Sequence, residues 1–398
     1  MTVAGISDAE FIDLCARVRG FVDDRVIPLE PLLDRGDNES ATQMKALQEE
    51  ARSLGLWALN LPVEIGGGGI PFMPYVYLNE IIGRSEHAMA ALGTHVTQDS
   101  WMFHLFGSPE QKERWLMPMV RGEITPSIGM TEPEVAGSDP TGIRATGVLD
   151  GDEWVINAHK WFTTGANVAA FTTMMCVTEP EAAPHQGASM IVVPTDTPGY
   201  EVVRVVPTMG DTKGLHCEIR LTDVRVPASS TLGKRGQGFS IAQKRLGPGR
   251  IFHCMRWLGQ AERAFELMCD YALKRVAFGG PLAQKQTVQN WIADSAAEIQ
   301  AARLLTLDAA KKIDEGDEAR VEISLIKFFG ARVLHDVIDR AIQVHGARGV
   351  SGDTPLETMY RHARYARIYD GPDEVHRMVV SRRILKAFAA GEGWKFSG

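Results

Sequence analysis

The segment RIYDGPDEVHR, Arg367 to Arg377, sets the carboxylate of Asp370 between an aromatic residue and a Gly-Pro pair, just ahead of a stretch patterned as a helix. A carboxylate fixed at so tight a corner is a candidate general base, because proton abstraction needs a side chain held within hydrogen-bond reach of the proton. The structural alternative is a helix cap, and for that task Asp373, directly ahead of Glu374, is the better placed residue. Other stretches carry groups suited to a ligand. In GMTEPEVAGSDP, Thr131 and the turn of Gly137 and Ser138 present a hydroxyl and backbone N–H groups that suit a planar, hydrogen-bonding ligand or an anion. In INAHKWFTTGA, Phe162 and Thr164 fall on one side of a strand, an aromatic wall beside a hydroxyl. In RVAFGGPL, Arg275 with Phe278 and Gly279 follows a helical pattern and offers the donor fork that a pyrophosphate takes. QVHGARG, with Gln343 and Gly346, reads as a helix end. Taken singly, each has a structural reading of equal or greater weight: a plain turn, a core face, or a helix cap with a solvated arginine.

Other chemistries find no support. HExxH, GxSxG and GxxxxGK[ST] are absent and the eleven histidines form no ligand-spaced cluster, which argues against zinc hydrolysis, serine hydrolysis and P-loop chemistry; no metal site is expected. GGGG at 66–69 has Pro71 close behind it and no strand-turn-helix frame, so it reads as a loop. A formal charge of -8 argues against nucleic acid or an anionic membrane as the main partner. The five cysteines are scattered without a CxxC pair, which fits reduced thiols and a cytoplasmic location. MTVAGISDAEF has neither a basic start nor an apolar run, and no window of about twenty apolar residues occurs, so neither export nor a membrane span is expected.

The elements that must position these groups divide by texture. At 398 residues the chain is expected to build two or three domains. Ser7 and Glu10 form a capping-box signature ahead of Phe11, Leu14, Cys15, Val18, Phe21 and Val22 at helical spacing, and Pro28 is expected to end that helix. Helical patterns continue through ATQMKALQEEARSLG and SPEQKERWLMPMVRG to Gly122. From about Thr125 to Gly236 come alternating β-branched runs separated by turn residues, an all-β insert. Long helical patterns then resume at 251–277, 286–315, 318–345 and 373–390, the lengths of a bundle that often buries further surface between subunits.

In this order and spacing the segments MTEPEVAGSD, WVINAHKWFT, RVAFGGPL with KQTVQNWIADS, QVHGARGV and YDGPDEVHR resemble the acyl-CoA dehydrogenase family of flavoenzymes, over nearly the whole chain. The resemblance implies an α+β, mostly α fold: an all-α N-terminal domain (1–124), a central β-barrel-like domain (125–236) and a C-terminal four-helix bundle (237–398), assembled as a homotetramer or dimer. It implies FAD, with Thr131, Phe162 and Thr164 lining the isoalloxazine, and with Arg275, Phe278, Gln286, Gln343 and Gly346 at the adenosine diphosphate part, largely of a neighbouring subunit's FAD. Ser138 and Arg250 match positions that touch coenzyme A in the family, and Tyr369 and Gly371 flank the base at the substrate. Phe162 stands where many members carry Trp, while Pro372 and Glu374 stand where many carry Thr and Gln.

Asp370 aligns with the family's usual Glu, so the resemblance makes it the base that takes the pro-R α-proton of an acyl thioester while a hydride leaves the β-carbon, giving a trans-2-enoyl-CoA. In the family the base residue's own N–H also helps hold the thioester oxygen. TEPEVAGSD has one residue more than the common TEPGAGSD, and with the Asp base this marks one branch of the family. Asp is shorter than Glu by about 1.5 Å, so a compensating backbone shift is expected. The resemblance further implies fatty acid metabolism, with an electron-transferring flavoprotein as electron acceptor. The alternatives are a flavin oxidase on the same scaffold, of the acyl-CoA oxidase or nitroalkane-oxidase type, and a catalytically idle flavin-binding assembly protein. Thr94, Gln98 and Asp99 hint at a hydroxylated or branched acyl chain, or else bond one another or the backbone.

Overall fold

The computed structural model describes residues 6–210 and 214–395. Its longer helices are α1 (Asp8–Gly20), α2 (Asn38–Ser53), α3 (Phe72–Ile82), α4 (Thr97–Phe106), α5 (Gly238–Lys274), α6 (Gln286–Asp314), α7 (Arg320–His345), α8 (Leu356–Ala366) and α9 (Asp373–Ala389). The strands are β1 (Pro126–Gly129), β2 (Thr146–Asp150), β3 (Glu153–Thr164), β4 (Phe171–Val177), β5 (Ala188–Pro194), β6 (Tyr200–Val205), β7 (His216–Pro227), β8 (Thr231–Leu232) and a short hairpin of β9 (Val276–Ala277) and β10 (Gly280–Pro281).

Backbone contacts cluster into two compact units, neither continuous in sequence. One holds Met1–Arg35, Ile70–Ala91 and Gly247–Gly398; the other holds Gly36–Gly69 and Leu92–Leu246.

In the helical unit, the capping box forms as expected: Ser7 Oγ accepts from the Glu10 amide and Glu10 Oε2 accepts from the Ser7 amide. Pro28 does not end the helix. The chain passes from α1 through a π-helical turn, Phe21–Val26, into a tight turn, Ile27–Leu29, where proline near the first position needs no amide proton. Where α3 meets α5, a Cβ on Gly83 would lie 2.2 Å from the Arg256 carbonyl oxygen, and one on Gly259 would lie 1.9 Å from the Glu80 carbonyl oxygen. Only glycine allows that approach, and it brings Asn79 of α3 within reach of Arg256 of α5. The start of α5 lies well ahead of the expected residue 251, because Gly247, Pro248 and Gly249 mask a helix that tolerates Pro248 inside it. Helix α8 is an addition to the expected set.

In the other unit, an eight-stranded sheet runs β6-β7-β3-β2-β4-β5-β8, with β1 paired parallel to β4. Strands β4 and β5 are buried on both faces, which is why they read as continuous apolar runs rather than alternating ones. Met174, Cys176, Ile191 and Val193 join Trp154, Ile156 and Leu221 in one core. Phe171, Met175, Met190 and Val192 join Phe103, Leu116 and Met119 in the other. Helices thus cover one face of the sheet, and β3 and β7 wrap the other.

Candidate active site

Strand β3 begins with Trp154, Ile156, Ala158 and Lys160 buried, and ends with Thr163 buried and Phe162 and Thr164 exposed. The phase changes because the register with β7 shifts between Lys160 and Thr163. That bulge takes Phe162, which unbroken alternation would place with the buried residues, and turns it outward. Phe162 sits at φ +48° and is 43% exposed, a strained and open position for an aromatic ring. Thr164 Oγ1 lies 2.9 Å from His216 Nδ1, and the Phe162 and His216 rings are 5.4 Å apart. The Trp161 amide donates to the Thr131 carbonyl at 3.1 Å, which ties the Thr131 loop to the same bulge.

The loop is anchored from beneath. Lys160 Nζ donates to Glu132 Oε1 at 2.8 Å and to the Met130 carbonyl at 2.9 Å, with Lys160 0% and Glu132 4% exposed. The amides of Arg144 and Ala145 donate to the other lone pairs of the Glu132 carboxylate. Burial by itself would raise the Glu132 carboxyl, but the Lys160 charge and these donors outweigh it and hold the group below the usual carboxylate range. Ser138 lies exposed on the turn that follows. Among the residues expected at the acyl end, Asp99 is bound to Arg245 at 3.1 Å, and the Gln98 Nε2 is buried without a hydrogen-bond partner.

In the helical unit the residues expected at the adenosine diphosphate lie at the surface. The β9–β10 hairpin presents Phe278 at φ +51° with 99% of its surface exposed, followed by Gly279 at φ +79°. Arg275 precedes this tip and is exposed, as are Gln286 and Gln343; the Gln286 amide donates to Asn290. Tyr271, one turn before Arg275, stacks on His345 at 4.2 Å, so the end of α5 and the end of α7, with Gly346 at φ +60°, are packed together.

The corner at Asp370 is the most heavily braced part of this unit. Asp370 adopts φ +54° and Gly371 φ +100°, consecutive left-handed residues. The Asp370 carbonyl accepts from Arg250 Nε at 3.1 Å and from His376 Nε2 at 3.2 Å. A Cβ at position 371 would lie 2.8 Å from His376 Nε2, so glycine is required there. Lys327, fully buried, donates to the Ala366 carbonyl at 2.7 Å and the Gly371 carbonyl at 3.3 Å, and the Tyr369 hydroxyl accepts from Trp257 Nε1 at 2.8 Å. Asp373 does not cap α9. Pro372 is the cap residue, and the Asp373 carboxylate is turned to Arg367 Nε at 2.8 Å, closing the corner from the other side. The Asp370 side chain itself is 22% exposed, with Oδ2 lying 3.2 Å from His253 Nε2.

His376 carries a pH dependence. Burial, with the Arg250 charge adding to it, pushes its imidazole from 6.5 down to about 4. The unfolded chain therefore takes up a proton at pH values where the folded chain refuses it, so stability falls as the pH drops from 6.5 toward 4. Urea midpoints measured across that window should fall less steeply for His376→Gln; an unchanged slope would mean that other groups carry it.

The strained, outward Phe162, the tied Thr131 loop and the buried Trp161 Nε1, which has no hydrogen-bond partner, fit a flat ring system with polar edges. The exposed Phe278 hairpin beside Arg275 fits an apolar and anionic ligand part. Sequence reasoning missed His253, Arg256 and Asn79, as well as His216. The one available signal was the spacing of Arg250, His253 and Arg256 on a single face of α5.

Family models for the N-terminal, middle and C-terminal domains of acyl-CoA dehydrogenase match residues 8–123, 127–224 and 236–385, and the chain belongs to that family. Its members bind FAD and act on CH–CH bonds, and this chain is an enzyme of that class. It is 45% identical to a probable acyl-CoA dehydrogenase of Mycobacterium tuberculosis, over 95% of this chain and 96% of that protein. It is 42% identical to acyl-CoA dehydrogenase family member 10 of Mus musculus over 92% of this chain. A putative acyl-CoA dehydrogenase from Mycobacterium abscessus superposes with a TM-score of 0.89 at 40% identity, covering 96% of this chain and 99% of that one. The chain spans only 36–50% of the length of its curated animal relatives. Among the described residues, no helix is long and apolar enough to cross a membrane and no cluster of metal ligands occurs.

Proposed function

We infer that this chain converts an acyl-CoA thioester to a trans-2-enoyl-CoA, with Asp370 taking the α-proton. The observation that carries this reading is the corner itself. Asp370 is held in a left-handed conformation by Arg250 and His376 on its carbonyl, yet its carboxylate remains partly open to the outside. A helix cap needs none of that bracing, and the neighbouring Asp373 is already buried against Arg367.

FAD, when bound, supplies the acceptor for the hydride that leaves the β-carbon. Thr131, Phe162 and Thr164 would hold its ring system, and Arg275, Phe278, Gln286, Gln343 and Gly346 its adenosine diphosphate end. Ser138 would meet the coenzyme A portion. Arg250 is already engaged at the Asp370 carbonyl, so its contribution at the substrate is to steady the base. The Asp370 N–H, fixed by the same brace, is the donor this chain offers to the thioester oxygen as negative charge develops there, and Tyr369 and Gly371 hold its orientation. We propose further that an electron-transferring flavoprotein accepts the electrons, that the chain assembles as a homotetramer or dimer of three-domain subunits, and that it serves fatty acid metabolism in the cytoplasm.

Anaerobic addition of a series of acyl-CoA thioesters to the FAD-loaded protein tests this. Bleaching of the flavin absorbance by at least one of them, with enoyl-CoA formed in equal amount, is expected. No bleaching by any chain length would favour an idle assembly protein. Under air, peroxide formed in step with turnover would favour the oxidase.

A further inference from the structure

The side chain of Asp370 is met by a different set of residues from those on its backbone carbonyl. On α5, Arg256 donates from Nη1 to Asn79 Oδ1 at 2.9 Å and from Nη2 to His253 Nδ1 at 2.8 Å. An arginine offers only donors, so His253 Nδ1 must present its lone pair and the ring proton must sit on Nε2. That nitrogen is the one 3.2 Å from Asp370 Oδ2. The proton on Nε2 therefore faces the carboxylate, and the Arg256 guanidinium on the far side of the ring is what puts it there.

We propose that Asn79 and Arg256 lock His253 as the neutral Nε2–H tautomer, and that His253 is thereby the positioning residue that fixes the rotation of the Asp370 carboxylate for proton abstraction. The inference rests on Asp370 being the base. An aspartate reaches less far than a glutamate and has little freedom to correct its aim. A donor on one carboxylate oxygen, itself held by a guanidinium, supplies the missing constraint.

The surroundings agree with a neutral ring. The His253 ring centroid lies 5.2 Å from that of Tyr369 and 6.4 Å from that of Trp257, the three rings forming one cluster. The charged and titratable groups around the pair are Arg250, Cys254 and Arg256 on α5, Lys327 on α7, Asp373 and His376 on α9, Tyr369 in the corner, and Tyr75 and Glu86 from the α3 side. Burial pushes the His253 imidazole down and Arg256 adds to that; the Asp370 carboxylate only partly offsets them.

The test uses the FAD-loaded protein and kcat and KM for an acyl-CoA as functions of pH. His253→Phe keeps the ring but loses the donor. Its kcat should fall about 10- to 100-fold with KM little changed. The acid limb of its kcat/KM profile should move up by about one pH unit, because a hydrogen bond that favours the charged carboxylate is gone. His253→Gln, whose amide N–H can stand where Nε2–H stood, should recover most of the rate and the acid limb. Wild-type kcat and acid limb in a folded, FAD-loaded His253→Phe would overturn the proposal. Should that variant fail to fold, Arg256→Met serves in its place: a fall in kcat with a shifted acid limb supports the lock, and an unchanged profile overturns it. Asp370→Ala separates the two levels. If it is inactive while the His253 and Arg256 variants behave as wild type, only the positioning role falls; if it keeps full turnover, the base assignment falls.

Discussion

Asp370→Ala should lower turnover on an acyl-CoA by about 10²- to 10⁴-fold while FAD remains bound. The α-proton of a thioester is too weakly acidic for water to remove quickly, so losing the positioned carboxylate removes the step. Arg250, His253 and His376, which meet Asp370 in the structure, are not among the residues expected to hold FAD, so the flavin spectrum should persist. The backbone brace runs through the carbonyl of residue 370 and survives the substitution. Asp370→Glu should keep part of the activity, because the longer acid must fit beside His253, which already stands 3.2 Å from the carboxylate. Steady-state turnover with the flavin content measured in parallel checks both variants, and an Ala variant with undiminished turnover would remove Asp370 from the mechanism.

The second large effect concerns stability. Lys160→Met should cost about 3–5 kcal/mol, because it leaves Glu132 buried with two amide donors and no countercharge. Removing both partners together, Lys160→Met with Glu132→Gln, should cost less than the sum of the single changes, since no bare charge then remains inside. Urea unfolding of the three variants gives the coupling. Strict additivity would mean that the pair is not an interacting unit. The Thr131 loop follows Met130, whose carbonyl Lys160 also holds, so the single variant should loosen FAD binding as well.

Much of this arrangement was legible in the sequence wherever it depends on neighbours along the chain. The Ser7–Glu10 cap, the long apolar faces of α6 and α7 and the β-branched runs of the sheet are local patterns; the apolar side chains of α9 are not buried in the same way, Asp373 and His376 being its buried residues. The motif residues were legible through their order, which the family resemblance reads as a set. What stayed hidden depends on distant contacts or local irregularity. Glycine and proline at 247–249 disguise the start of α5, because their propensity opposes a helix that packing retains. The bulge that turns Phe162 outward is invisible to a period-two pattern, since a strand's phase is assumed constant until its partner is seen. Asp373 reads as a cap from spacing alone, and only the position of Arg367 shows where its carboxylate goes. His253 lies 117 residues before Asp370, and Asn79 is further still, so their chain of hydrogen bonds exists only in three dimensions.

The most direct measurement follows deuterium from the α-carbon of an acyl-CoA into solvent, comparing the FAD-loaded wild type with Asp370→Asn. Release by the wild type and none above background by the variant is the predicted result. Equal release by both would show that another group takes the α-proton, and the role given to Asp370 would have to be abandoned.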